Sequence, residues 1–301
     1  MCIRDSQSSL RSQLSASRFI NQELNNFRFF ANINESDHDL ESSTTQDASS
    51  DNTTGNIGFL YQVSSNLSVG LALGYVDQEV DIDNTGTSFE NDGLLFSALA
   101  NYQQGRWFAE AGLTFSELDI ESSRGVTLGV AQRIERGDTE GDGVGLTFSG
   151  GYDLLSSKKY HVGPILRLDF NQFDVDNFSE EGAQSTSLSF SNIERDAFIA
   201  SLGAFANIQS SWGSIPINYF GEITADADLE GDSDDIQVSL NSLDSGPSFA
   251  LESFDRDSSG FSAQFGISAA LSKAINLQLS YNYRELGGDI NAVNLGISAD
   301  F

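Results

Sequence analysis

The chain ends with the segment Val-Asn-Leu-Gly-Ile-Ser-Ala-Asp-Phe, residues 293–301. Apolar side chains stand at every second position, from Val293 through Leu295 and Ile297 to Phe301, and small or polar residues stand between them. Because successive side chains of a strand point to opposite faces of a sheet, this alternation predicts a strand with one apolar face. The segment decides the fold class because the same pattern returns along most of the chain.

Five further segments show the alternation clearly, namely 67–75, 107–115, 144–152, 261–271 and 275–284. Others that follow it lie near 26–33, 55–63, 91–103, 159–176, 195–208 and 214–227. The second face carries mainly glycine, serine, asparagine and threonine with scattered charge, which suits a hydrated lumen better than the solvent face of a sandwich. The sequence therefore predicts an all-β protein, a transmembrane antiparallel up-and-down β-barrel of about twelve strands within 26–301.

The connections between these strands alternate between long and short. The long, acidic ones cover 34–54, 77–92, 117–142, 177–194 and 228–258, and the short ones lie near 64–66, 103–105, 156–159, 209–213 and 272–274. Outer-membrane barrels have short periplasmic turns and longer external loops, so the pattern predicts that the protein lies in the bacterial outer membrane. The strand count stays open by about two, because 228–258 is long enough for an additional hairpin.

Composition excludes several classes of protein. The 301 residues contain 44 acidic and 15 basic side chains, a net charge of -29, which would repel nucleic acid. No apolar run has the roughly 18 residues that a transmembrane helix needs. Cys2 is the single cysteine, so neither an internal disulfide nor a cysteine-based zinc site is expected, and the sequence predicts no cofactor.

Residues 1–25 precede the first predicted strand and are expected to be a linker. Within them, 7–25 form a weakly amphipathic helix candidate for the pore, with Leu10, Leu14 and Phe19 loosely on one side. Residues 1–6 have none of the features of a secretory signal. We therefore expect the true N-terminus upstream of Met1 and treat 1–6 as a segment that need not be native.

Four segments, 67–75, 162–170, 178–183 and 295–301, resemble the autotransporter β-domain of type V secretion. The resemblance covers about 26–301 and is greatest to the branch that follows lipase-like passengers. It implies a translocator that anchors and helps to export an N-terminal passenger, which this chain lacks. Expected partners are outer-membrane lipid, lipopolysaccharide, the barrel-assembly machinery and the protein's own upstream passenger, and no nucleic acid.

Two sets of residues carry this expectation. The resemblance implies that the last strand, through Leu295, Ile297 and Phe301, is the signal that the assembly machinery recognises. Five charged residues on the predicted strands are the pore-lining candidates: Glu110, Arg167, Asp169, Glu222 and Arg284. They either contact the helix or form a structural charge network in the lumen, and the two roles are compatible.

Other chemistry is weakly indicated. His161 has no serine nucleophile motif beside it, so we expect a structural role and no enzyme activity. The run 81–86 with Asp92 faintly resembles a calcium loop, but a solvated acidic loop fits better. Asn25–Asn26 is a candidate for self-cleavage or an ordinary strand start. A free-standing porin or adhesin barrel, a barrel-embedded hydrolase and a soluble β-sandwich lectin are the alternatives, and pore state and oligomeric state stay open.

Overall fold

The structure is a computed structural model that describes residues 2–18, 26–40, 46–157, 159–181, 185–230, 236–242, 247–251 and 258–301. Helix α1 is Cys2–Ser17, and seventeen strands follow it. Twelve of them form the barrel: β1 Phe27–Leu40, β2 Ala48–Ser64, β3 Leu67–Ile82, β4 Thr87–Gln104, β5 Trp107–Leu128, β6 Ala131–Tyr152, β8 Tyr160–Val175, β11 Ile193–Trp212, β12 Ile215–Asp228, β15 Ser259–Ala270, β16 Ile275–Glu285 and β17 Asp289–Asp300. The short strand β7, Leu155–Ser156, pairs with β8.

Every barrel strand is antiparallel to the barrel strands before and after it in the chain. The first and last strands, β1 and β17, pair along their whole length, so the sheet closes on itself. The predicted up-and-down barrel of twelve strands is confirmed. Closure leaves the sheet without an unpaired edge, whose amides and carbonyls would lack partners in hydrocarbon.

The two faces of the barrel are inverted relative to a soluble protein. On β1, Phe27, Phe29 and Ile33 are exposed on the outer face, while Asn32 and Asn34 are buried in the interior. The same alternation continues on the other strands, for example with exposed Leu71 and Leu73 against the buried interior. An apolar exterior around a polar interior is the arrangement that a lipid bilayer selects.

Helix α1 lies inside the barrel and contacts strands around its circumference. Its apolar side packs against one part of the wall, in a cluster of Leu10, Leu14, Phe30, Leu60, Ala72 and Leu99. A helix of 16 residues is about 24 Å long, close to the height of the apolar band of such a barrel. The helix begins at Cys2, five residues before the predicted segment, and Phe19 lies outside the described residues. Among the described residues, no helix is long and apolar enough to span a membrane.

The barrel has two different ends. Tight turns such as Gln104–Trp107 and Trp212–Ile215 close one end, where Gly105 and Gly213 adopt φ values of 61° that a side chain would strain. We call this the short-turn end and the opposite one the long-loop end. Strand β1 therefore begins at the short-turn end, and strand β17 ends there.

Much of what the sequence suggested as long loops is strand. Residues 77–92 continue β3 and β4 with a turn only at 83–86, and 117–142 continue β5 and β6 around Gly129. The extensions are stable because their inner faces still pack, with Val76, Leu95 and Leu118 in one buried cluster. Acidic residues on the outer face of these extensions made the segments look like loops.

Two connections at the long-loop end fold together. Strands β9 Phe178–Ser179, β10 Leu188–Phe190, β13 Ile236–Leu240 and β14 Phe249–Leu251 form a separate four-stranded sheet in the order β14-β13-β10-β9. The segment 228–258 thus contains a hairpin outside the barrel. Arg124 of β5 anchors this sheet through Glu180 at 2.7 Å, and hydroxyl groups of Thr186 and Ser187 donate to Glu135 of β6 and lower its pKa.

The closing seam carries an ion pair. Arg28 of β1 and Asp300 of β17 are directly opposed, and the guanidinium donates to both carboxylate oxygens, at 2.6 and 3.1 Å. Beyond them Phe27 and Phe301 exchange two backbone hydrogen bonds. The pair therefore favours the register in which the barrel closes, because a slip of one strand by one residue would turn its charge to the lipid and separate it from its partner.

We expect Asp300→Asn to lower the free energy of unfolding by about 2 kcal/mol, because Arg28 stays buried without its charged partner. The measurement is the temperature at which the folded band disappears on unheated gels of detergent-refolded protein. Asp39→Asn, an exposed carboxylate on β1, is the control and should leave that temperature unchanged. Equal stability of the Asp300 variant would rule out this role for the seam pair.

Candidate functional site in the barrel lumen

Arg18 directly follows α1 and is buried between two carboxylates of the barrel wall. Its guanidinium donates to both oxygens of Glu110 on β5, at 2.6 and 2.5 Å, and to Glu222 on β12 at 2.5 Å. Arg167 on β8 donates to the other oxygen of Glu222. All four side chains are less than 5% exposed. We call these four residues the Arg18 cluster.

An aromatic ring completes this cluster. The Arg18 guanidinium carbon lies 4.3 Å from the ring centroid of Phe108, which itself meets Phe205 edge-on. A cation over an aromatic face adds attraction that grows where water is excluded. The cluster therefore joins α1 to β5, β8 and β12 through charge, hydrogen bonds and packing together.

A second group of charges lies one heptad earlier on the helix. Arg11 donates to Asp169 of β8 at 3.2 Å, and Thr147 donates to the same carboxylate oxygen at 2.6 Å. Arg284 of β16 lies 3.8 Å from both Asp169 and Asp226. We call Arg11, Asp169, Arg284 and Asp226 the Asp169 cluster.

The structure brings all five pore-lining candidates into these two clusters. Glu110, Arg167 and Glu222 belong to the Arg18 cluster, and Asp169 and Arg284 to the Asp169 cluster. Sequence reasoning missed Asp226, Arg11 and Arg18. The available signal was the spacing of Arg11 and Arg18, because residues seven apart lie on nearly the same helix face.

Charge balance explains why the helix arginines matter. In these two clusters the wall contributes four carboxylates, Glu110, Asp169, Glu222 and Asp226, but two guanidinium groups, Arg167 and Arg284. Arg11 and Arg18 make the two signs equal. A buried charge without a partner costs several kcal/mol, so the wall of this lumen favours a segment carrying two positive charges.

The contacts also define the direction of the helix. Asp5 lies 3.2 Å from His38 and accepts from Asn52 at 2.6 Å, and both partners stand near the long-loop ends of their strands. Arg18 contacts Glu110, which follows the start of β5 at the short-turn end. The N-terminus of α1 therefore points to the long-loop end of the barrel.

The residues expected at the C-terminal signal lie on the lipid-facing surface. Leu295, Ile297 and Phe301 are 54%, 46% and 76% exposed, and the Phe301 ring stands edge-on to Phe29 with centroids 5.6 Å apart. The last strand thus presents an apolar row at the seam with β1.

The weaker candidates have the following positions. His161 lies 2.6 Å from Asp153 at the short-turn end. The region 81–92 is mostly a strand hairpin, and in the described ranges no three His, Cys, Asp or Glu side chains are grouped as metal ligands. The cleavage candidate includes Asn25, which lies outside the described residues.

A closed twelve-stranded barrel with an apolar exterior and a helix in its lumen defines a bacterial outer-membrane β-barrel of the translocator class. The chain belongs to the autotransporter β-domain family, whose sequence profile matches residues 29–282. Domains of this family are translocators and not catalysts. The short-turn end is accordingly periplasmic and the long-loop end external. A free-standing porin or adhesin barrel is not favoured.

Relatives agree with this family. Esterase EstA of Pseudomonas aeruginosa is 30% identical over 305 residues, which cover 99% of this chain and 46% of the esterase. Lipase 1 of Photorhabdus luminescens is 23% identical over 252 residues, 81% of this chain and 38% of the lipase. The chain thus spans about half the length of the curated relatives that it matches first.

Solved structures share the fold at low identity. The translocator domain of the autotransporter NalP from Neisseria meningitidis superposes with a TM-score of 0.77 at 13% identity, over 100% of this chain and 96% of that one. The β-domain of the Bordetella autotransporter BrkA gives 0.64 at 14% identity, over 92% and 100%.

We expect Arg18→Gln to loosen α1 and to raise the ion conductance of the barrel in planar lipid bilayers. Glu110 would lose its charged partner and Glu222 one of two, a cost of roughly 3–5 kcal/mol for a buried pair. Arg106→Gln, at an exposed periplasmic turn, is the matched control and should conduct like the parent. A parental conductance in the Arg18 variant would contradict the role assigned to the cluster.

Proposed function

We propose that this barrel exports an esterase- or lipase-type passenger carried before α1 and retains it at the cell surface through α1. The observation that carries the proposal is the direction of the helix, whose N-terminus points to the external end while Arg18 is bound near the periplasmic end. A passenger joined to that N-terminus would stand outside the cell. The relatives EstA and Lipase 1, which match over most of this chain, support the class of passenger.

The retention step follows from the two charge clusters. Arg11 and Arg18 are each buried against carboxylates of the wall, so withdrawal of α1 would leave Glu110 and Asp169 without these partners. The penalty makes the inserted helix the preferred final state. The helix thereby acts as an anchor for whatever precedes it.

Assembly is assigned to the last strand. We propose that the barrel-assembly machinery recognises β17 through Leu295, Ile297 and Phe301. In support, these side chains form an exposed apolar row on the strand that closes the barrel against β1. Recognition of an unpaired edge strand by strand addition would use this same edge.

The outer face supplies a further contact. Just external to the exposed aromatic Tyr75 and Phe115, carboxylates oppose each other across strands: Asp77 with Asp92, and Asp92 with Asp119. Like charges in register repel, and bound divalent cations would relieve the repulsion. We propose that such cations join this row to phosphates of lipopolysaccharide.

Catalysis is assigned to the passenger alone. His161 pairs with Asp153 at the periplasmic end, away from the external surface where a secreted ester hydrolase would act. His161→Ala should therefore leave surface esterase activity unchanged.

The test is surface display of a reporter esterase placed before Met1, measured as hydrolysis of a membrane-impermeant ester by intact cells. The parent barrel should give activity in intact cells, and deletion of Phe301 should reduce both this activity and the folded outer-membrane barrel to a minor fraction. Phe301→Tyr keeps an aromatic end and should retain both. Activity appearing only after cell lysis with the parent barrel would refute export, and normal display without Phe301 would refute the terminal signal.

The proposed class of the natural passenger can be tested from the upstream reading frame. Sequencing of the gene before Met1 should show a hydrolase domain in frame. A signal peptide directly before residue 7 would instead support a free-standing barrel.

A further inference from the structure

Four serines of α1 stand at every third position and are all buried. They are Ser6, Ser9, Ser12 and Ser15. Each makes a hydrogen bond to the barrel wall, the partners being in order Asn56 of β2, Asn32 of β1, Gln264 of β15 and Glu222 of β12. Asn294 of β17 also donates to Ser9, at 2.5 Å.

The order of these partners follows from helix geometry. Three residues of an α-helix rise about 4.5 Å and turn about 300°, so the serine row winds around the helix by about 60° per step. The partner strands β2, β1, β17, β15 and β12 follow one another around the barrel in the same sense, with β16 the one strand between them. The row of serines thus contacts successive strands as α1 descends through the lumen.

This row cannot by itself determine how far the helix is inserted. A screw movement of three residues carries Ser6, Ser9 and Ser12 each to the place of the next serine, where an amide or carboxylate group of the wall again lies within hydrogen-bonding distance. The serine contacts are therefore nearly equivalent in several registers. The two arginines differ, because a shift of about 4.5 Å and 60° removes Arg11 and Arg18 from carboxylates that lie within 3.2 Å.

We propose that the serine row lets α1 move through the lumen in steps of three residues and that Arg11 and Arg18 stop it at one register. The inference rests on the proposed role of α1 as the linker that remains in the pore. It assigns to the two arginines a positioning role in export, distinct from simple filling of the lumen. The arginines fix the position at which movement of the chain ends.

Cross-linking between α1 and β1 measures the register directly. In the full chain with Cys2→Ser, Asn32→Cys is combined in turn with Ser6→Cys, Ser9→Cys or Ser12→Cys, and a short bifunctional thiol reagent is applied. Only material that runs as the folded band on unheated gels is scored. With both arginines present, we expect product from the 9–32 pair and little from the 6–32 or 12–32 pairs, because Ser9 contacts Asn32 at 2.8 Å.

In the Arg11→Gln, Arg18→Gln variant we expect the 6–32 or 12–32 product to rise to a yield comparable with that of the 9–32 pair. Arg11→Lys with Arg18→Lys should restore the single product, because the charges return. Arg106→Gln, at an exposed turn away from α1, is the control and should keep it. If the double glutamine variant does not fold, Arg11→Gln alone is used. We then expect a smaller rise in the yield of the 6–32 or 12–32 product.

Two outcomes would overturn the proposal. One is exclusive 9–32 product in the folded glutamine variants, which would mean that shape or the serines fix the register. The other uses variants with both arginines intact, in which every serine of the row that is not replaced by cysteine is changed to alanine. A mixture of the 6–32, 9–32 and 12–32 products from these variants would show that the arginines do not fix the register. Surface display of the reporter esterase by the same cells is recorded separately, so loss of export with a single register refutes the proposed function and leaves the register assignment standing.

Discussion

Water cannot reach the amides and carbonyls of a strand that faces hydrocarbon, so each spanning strand needs a partner on both sides. This constraint makes β1 meet β17 and turns twelve strands into a closed wall with an interior. Side chains then divide by parity, with apolar ones to the lipid and polar ones to the lumen. The interior that results is polar and partly charged, and it has to be filled or hydrated.

Charge as well as shape determines which segment can fill that interior. In the two clusters the wall alone has more carboxylates than guanidinium groups, and Arg11 of α1 and Arg18 directly after it restore the balance. The helix is otherwise polar and short, so its propensity contributes little and the barrel supplies most of its stability. The proposed anchoring and register of α1 depend on where the wall carries its carboxylates.

The sequence was sufficient to predict the barrel because period-two alternation indicates the number of strands, the direction in which each side chain points and the face that contacts lipid. It also suggested Glu110, Arg167, Asp169, Glu222 and Arg284 as lumen candidates, because a charge on an otherwise small and polar strand face must point inward, and all five lie in the two clusters. Their partners were not predictable. Which guanidinium meets which carboxylate depends on strand stagger and on helix depth, and neither is written in local periodicity.

The remaining differences have a common cause. Acidic segments such as 117–142 were interpreted as loops, yet inward packing of Leu118 and its neighbours extends the strands beyond the membrane. The external sheet joins segments around 178–190 and 236–251, and the contact of Arg124 with Glu180 that supports it links residues distant in sequence. The helix start was misjudged because a polar helix shows little amphipathic signal. Each case is tertiary context overriding a local pattern.

Charge pairing between the Arg18 segment and the wall can be measured by a double-mutant cycle on Arg18 and Glu110. The free energy of unfolding in detergent would be measured for the parent, Arg18→Gln, Glu110→Gln and the double variant. We expect a coupling free energy of about 1.5 kcal/mol or more between the two residues. Losses that add to within about 0.5 kcal/mol would contradict it, because they would show that the two side chains act independently.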